Sequence, residues 1–312
     1  MFSSVTRDEE YRQRLCDFIE ENYPLRPDGI IPARRGYFGE TWRMECDGGR
    51  YFAKLVHGYH RARYQRSFAV IEHLRAQGID CVSRIVKTRD GALYMTFEGG
   101  VLGLFDWIED ENREDDSTKP HEYQMLARIY SVDPTGLNIP REDFSAGAAD
   151  RFFEQWARVD DEIILALLGG KRDEIDRCAQ RLRHFSERCA GDDTGFVITH
   201  GDAGGNVLIH KNEYHIVDWD DPLLAPPERD AWFWMHRPWA MEAFHDALRQ
   251  NGISYTLRPE RLAYYCYHMY FFYLNEFLNT YFVLGNAVSA PLSDYLDGWM
   301  NDNRAFCERT IQ

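Results

Sequence analysis

The residue types best suited to chemistry are gathered in residues 196–234, FVITHGDAGGNVLIHKNEYHIVDWDDPLLAPPERDAWFW. His200, Asp202, Asn206, Asp218, Asp220 and Asp221 stand there within 22 positions. Carboxylate and amide oxygens are hard donors, the set that magnesium prefers, with water and phosphate completing its shell. Crowding them has a cost: two carboxylates about 4 Å apart repel by roughly 4 kcal/mol at an effective dielectric near 20. Aspartates this close are expected to meet a cation. HGD by itself would also serve as a turn cap, and DWDDP as an exposed acidic corner; it is the set that argues for a site.

These residues need strands to hold them. Phe196–Thr199 reads as a short apolar strand, residues 200–205 as a glycine-containing loop, and Val207–His210 and Tyr214–Asp218 as two strands about a polar turn, Lys211-Asn212-Glu213. Taken as a three-residue hairpin loop, that turn sets Asn206 opposite Asp218, with Cβ atoms about 5 Å apart. A second charged group, Lys54, lies in Tyr51-Phe52-Ala53-Lys54-Leu55 at the centre of an apolar strand, where an ammonium is costly unless paired. An edge-strand lysine reaching solvent is the alternative.

Around these segments, residues 8–21 have helical periodicity and a β meander follows: strands near Ile30–Phe38, Thr41–Cys46 and Tyr51–Val56, the last two joined through Asp47-Gly48-Gly49. A helix over residues 62–76 stops at Gly78, and strands are expected at Val82–Lys87, Ala92–Phe97 and Val101–Ile108. The acidic run IEDENREDDSTKP then reads as a solvated connector and the best domain boundary. Helical patterns dominate beyond it, and Leu262–Leu284, apolar nearly all round, is expected to be a buried helix.

Thirty-six Lys and Arg against 51 Asp and Glu give the 312-residue chain a net charge of −15. That field opposes non-specific binding to nucleic acid or to an anionic membrane and favours a cationic small molecule. MFSSVTRDEEYRQRL has no apolar core of a secretion signal, and no uncharged stretch approaches the ~20 residues that span a bilayer. The seven cysteines are scattered and form no CxxC, so they read as free thiols of a cytoplasmic protein.

His200-Gly201-Asp202, Asn206 and Asp218-Trp219-Asp220, followed by Ala225-Pro226-Pro227-Glu228-Arg229-Asp230, together resemble the Brenner motif of the aminoglycoside phosphotransferase and choline kinase superfamily. The later part looks most like the spectinomycin phosphotransferase branch, and the likeness covers nearly the whole chain. It implies an α+β, two-lobed protein-kinase-like fold: a nucleotide-binding lobe over residues 1–108, a hinge at about 107–110, and a helical lobe over 109–312. It implies ATP or GTP with Mg2+, and phosphoryl transfer to a hydroxyl of a cationic small molecule, an aminoglycoside or aminocyclitol antibiotic first of all. A metabolic kinase acting on choline, ethanolamine, homoserine or a sugar is the alternative. The protein is expected as a monomer or homodimer.

Carried over by residue, Asp202 matches the catalytic aspartate, Asn206 and Asp218 the magnesium ligands, and His200 a structural histidine. Lys54 matches the lysine that holds phosphates and a helix carboxylate; Glu72 is the only acid on the 62–76 helix. Gly36-Tyr37-Phe38-Gly39-Glu40-Thr41 would be the nucleotide loop, with Thr41 near a phosphate and the backbone of Trp107, Ile108 and Glu109 against adenine. Asp220, Trp234, His236, Tyr273 and Glu276 are candidate acceptor contacts, and Asp230 a loop brace. One departure stands out: Asn206 follows Asp202 by four residues, where the family usually has five. A shortened loop of this kind leaves a nucleotide-binding pseudokinase as a further alternative.

Overall fold

Asp8 starts the first helix, α1 (Glu9–Asn22), by accepting the Tyr11 N–H at 2.8 Å. Tyr11, Leu15 and Ile19 recur every fourth residue and are buried on one face. They pack with Ile30, Trp42, Met44, Ala53, Leu55, Leu102 and Leu104 of an antiparallel sheet. In this computed structural model, which describes residues 7–33, 39–46, 48–111 and 115–310, that sheet has β1 (Pro27–Pro32), β2 (Glu40–Cys46), β3 (Gly49–Val56), β4 (Met95–Phe97) and β5 (Gly100–Asp106). Their spatial order is β1-β2-β3-β5-β4. The expected strand Val82–Lys87 is extended chain with only isolated bridges, Val82 to Ile216 and Ile85 to Phe105.

Alternation along β3 sorts its side chains. Ala53 and Leu55 join the α1 core, whereas Lys54 lies toward α2 (Arg61–Ala76), with Nζ 5.5 Å from the Tyr64 ring centroid. Opposite Lys54 in the β3–β5 register stands Gly103. A β-carbon there would lie 2.3 Å from Phe68 Cζ, so glycine at this position is what lets Phe68 stack on Phe105 at 5.7 Å and 11°.

The chain divides into two compact units, residues 1–140 with 200–223, and 141–199 with 224–312. The boundary expected near residue 108 therefore falls inside the first unit, for a reason visible in hydrogen bonds. Glu111 N–H donates to Ile209 O at 2.9 Å, the Asp110 carboxylate accepts Ile209 N–H at 3.2 Å, and Glu111 accepts Lys211 N–H at 2.9 Å. The acidic run, in its described part, is a clip for the 207–216 hairpin rather than a solvated connector. Asp115 and Thr118 then form a capping box ahead of α3 (Lys119–Tyr130).

The second unit is mostly helical: α4 (Gly147–Trp156), α5 (Glu162–Gly170), α6 (Arg172–Cys189), α7 (Glu228–Ala231), α8 (Pro238–Gln250), α9 (Pro259–Leu284), α10 (Ser289–Asp294) and α11 (Asn301–Thr310). As its apolar sequence requires, α9 is buried along most of its length, packing on α4, α6 and α11. Among the described residues no helix is long and apolar enough to cross a membrane.

Candidate active site

The hairpin that carries the site pairs Val207 with Ile216 and His210 with Glu213. Its turn is therefore two residues, Lys211 and Asn212, both at positive φ (+48° and +66°), the backbone of a primed hairpin turn. This corrects the expected three-residue loop. Asn206 comes opposite Val217, whose N–H donates to its carbonyl at 2.9 Å, and Asn206 and Asp218 are not cross-strand partners. Asp218 is placed by another device: its φ of +64° takes the chain out of the strand direction.

That turn brings Asp218 to Lys54. Lys54 Nζ donates to Asp218 Oδ1 at 2.5 Å and to Asp220 Oδ2 at 2.6 Å. Lys54 as a whole is only 4 % exposed. Burial pulls its pKa down, but Asp220 and Asp218 outweigh this and hold it above the ordinary lysine value. The two aspartates respond oppositely. Burial raises Asp218, yet the Lys54 charge and hydrogen bond bring it below the usual carboxylate range; burial together with the neighbouring Asp218 charge holds Asp220 above it, against the pull of Lys54. Arg63 of α2 adds a second cation, its Nε lying 3.1 Å from Asp220 O and 3.0 Å from Asp221 Oδ1.

The expected Lys54–Glu72 pair is not formed. Glu72 lies later on α2, half exposed, and pairs with Lys87. Asp220, expected as an acceptor contact, takes the place beside Lys54 instead.

His200 and Trp219 form the support. The His200 ring meets Trp219 edge-on at 4.6 Å, Nε2 bonds to Val217 O at 2.9 Å, and Nδ1 accepts Asp202 N–H at 3.2 Å. This network assigns the proton to Nε2. Asp202 is exposed. Asn206 Nδ2 donates to Asp202 O at 2.6 Å, fixing the amide so that its oxygen is the atom left for a ligand. Among the described residues, neither Asn206 Oδ1 nor Asp218 Oδ2 has a hydrogen-bond donor. Nor do three His, Cys, Asp or Glu gather into a cage for a metal ion. By donor type, an amide oxygen and a carboxylate oxygen suit Mg2+, which takes few protein ligands and completes its shell with water and phosphate.

On the sheet, Thr41 is buried and sits opposite Lys54 in the β2–β3 register. Residues 36–38 of the expected nucleotide loop lie outside the described residues; Gly39, at φ +94°, would place a β-carbon 2.5 Å from Leu55 O, so only glycine passes there. Trp107 N–H is engaged by Arg50 O at 3.1 Å, and Glu109 pairs with Arg50, so these groups brace the sheet. Ile108 is half-buried beside them.

The remaining acceptor candidates belong to the second unit. Trp234 stacks with His236, and Arg237 lies over the Trp234 ring at 4.5 Å. Tyr273 and Glu276 are half-buried on α9, and Glu276 Oε1 accepts from Asn279 Nδ2 at 3.2 Å, which relieves the cost of a carboxylate in that helix. Asp230 is half-buried, whereas Glu228, which the sequence reading passed over, is wholly buried and accepts from Tyr255 OH and Arg258 N–H. Two further groups were missed in the first unit: Arg63, and a buried pair, Lys119 with Glu122. The capping box Asp115-Ser117-Thr118 marked the helix start that buries the latter, but the surrounding acidic run concealed it.

An antiparallel sheet bearing a lysine clamped by two aspartates, with an HGD loop and an asparagine beside it, defines the class: a kinase, an enzyme of protein-kinase-like α+β fold. Residues 29–265 match the APH phosphotransferase enzyme family, and the chain belongs to it. Among solved structures it is similar to spectinomycin phosphotransferase APH(9)-Ia in complex with ADP and spectinomycin, at 17 % identity and TM-score 0.72, covering 96 % of this chain and 94 % of that one. It is also similar to an aminoglycoside phosphotransferase from Alicyclobacillus acidocaldarius (15 %, 0.60, 98 % of each chain) and to a microcompartment-associated aminopropanol kinase (14 %, 0.64, 96 % and 97 %). No curated protein matches the chain in sequence.

Proposed function

We propose that the protein transfers the γ-phosphoryl group of ATP to a hydroxyl of a cationic small molecule, an aminocyclitol or aminoglycoside. The observation that carries this reading is the Lys54 clamp: a buried ammonium held at 2.5 and 2.6 Å by Asp218 and Asp220, in the same unit as the loop bearing Asp202 and Asn206. Lys54 is the group to hold phosphate oxygens of the nucleotide, with Asp218 and Asp220 keeping it charged and in place. Asp202, exposed on its loop and anchored through its backbone to His200 and Asn206, is the group to orient the acceptor hydroxyl and take its proton. Asn206 Oδ1 and Asp218 Oδ2 would hold magnesium, which supplies charge neutralisation at the β- and γ-phosphates. A net charge of −15 supports a cationic acceptor, and the ADP–spectinomycin complex of the structural neighbour supports both halves of the pairing. A metabolic amino-alcohol kinase is the second reading, favoured by the likeness to the aminopropanol kinase.

The test is ADP release from ATP–Mg2+ with spectinomycin, a set of aminoglycosides, choline, ethanolamine and aminopropanol offered separately. Acceleration by an aminocyclitol or aminoglycoside is expected; acceleration by a simple amino alcohol alone would select the second reading. Asp202→Ala should lower kcat by about 10²–10⁴-fold with nucleotide affinity nearly unchanged. Unaltered turnover in that variant would remove Asp202 from the reaction, and Mg2+-dependent ATP binding without transfer to any acceptor would mark a pseudokinase.

A further inference from the structure

One buried charged pair in the first unit has no part in the chemistry above. Lys119, the first residue of α3, and Glu122, one turn later, are 4 % and 3 % exposed, with Nζ 2.7 Å from Glu122 Oε2. Burying such a pair is at best neutral beside an apolar one of the same shape, so stability alone gives little reason to keep it. Its position supplies a reason. A β-carbon built on Gly204 would lie 3.6 Å from Lys119 Nζ, which puts the ammonium against the loop that runs from Asp202 to Asn206. Gly204 is not at positive φ, so its backbone does not demand glycine; what the contact shows is that the ammonium packs directly on this part of the loop. The helix that presents Lys119 is itself fastened to the hairpin following the loop, through a stack of His121 on Tyr214 with centroids 4.3 Å apart.

We propose that Lys119 is a positioning residue for phosphoryl transfer: its ammonium, oriented by Glu122, sets the loop that carries Asp202. The short loop has two consecutive glycines after Ala203 and no basic side chain of its own between Asp202 and Asn206. Lys119 brings a fixed positive charge to it from a neighbouring helix. This inference rests on the phosphoryl-transfer reading.

The experiment separates a structural pair from a positioning one. Activity is read as ADP released from ATP–Mg2+, with spectinomycin as acceptor where it is used and with water where it is not. Lys119→Met alone leaves Glu122 buried without its partner and should lower stability, so it is compared with the double variant Lys119→Met, Glu122→Met, in which both charges are gone. The double variant should keep a Tm near wild type yet lose roughly 10²-fold in kcat, the size of effect a small misplacement of a reacting group produces, with KM for ATP unchanged. Lys119→Arg, which keeps the charge, should recover most of the rate. A second route keeps both charged residues: Gly204→Leu presses a branched side chain against the ammonium and should lower kcat without lowering Tm. Wild-type kcat in either the double variant or Gly204→Leu would overturn the proposal while phosphoryl transfer stands. A wild-type enzyme that releases no ADP under any condition would overturn the transfer reading itself, and this inference with it.

Discussion

Lys54 has its counter-charges 164 and 166 residues further along the chain, although a helix carrying Glu72 packs beside it. Asp220 thereby takes the work that the resemblance assigns to a helix carboxylate. Asp220→Asn leaves Lys54 with one anion and a weaker acceptor, and should cost about 1–3 kcal/mol of stability and raise KM for ATP. Glu72→Gln removes one partner of a half-exposed pair and should stay within about 0.5 kcal/mol. Chemical denaturation and ATP titration of the two variants check this; equal effects would return Glu72 to the site. The cluster itself was legible, because aspartates and an asparagine at this density have few uses. Which aspartates meet Lys54 was not legible: all three in DWDD are chemically alike and equally tolerant of the left-handed region, and only the structure shows that Asp218 adopts it.

Register of the 207–216 hairpin is an instance of how one residue in a turn redirects a whole element. Counting Glu213 as turn gives three loop residues; pairing it with His210, as the structure does, leaves two. Lys211 and Asn212 both adopt positive φ, where asparagine is comfortable and lysine is not. Replacing the pair by Asn-Gly, through Lys211→Asn and Asn212→Gly, should stabilise the protein by about 1 kcal/mol by relieving the left-handed strain at Lys211, provided the turn is the two-residue kind. A lowered urea midpoint would restore the longer loop. Strands β2, β3 and β5 and helices α1, α2 and α9 were readable because their periodicity is sustained and their faces are uniform. Val82–Lys87 was misread as a strand because an apolar alternating run does not reveal whether a partner edge is continuous; here β5 is met only at isolated points.

At the scale of the molecule, the division into units follows space rather than sequence, since residues 200–223 belong with the first 140 residues. Composition implied an ordered chain of negative charge, the order of elements a small β-rich part before a larger helical one, and the motif resemblance the kinase-like architecture. None of these could foretell that the acidic run after Asp106 would clip the distant hairpin, because that depends on backbone groups of Ile209 and Lys211 being left open to it.

The long interval between Lys54 and its aspartates has a consequence for synthesis. A ribosome that has delivered the whole sheet still holds back the acids that Lys54 requires, so the nascent sheet carries a stranded ammonium until residue 220 emerges. A truncated polypeptide ending at residue 140 freezes that moment. Lys54→Met should make this fragment more ordered by circular dichroism, while in the full-length chain the same change should be destabilising, because it abandons two adjacent carboxylates. If the substitution acts with the same sign in both, the lysine is not what delays maturation.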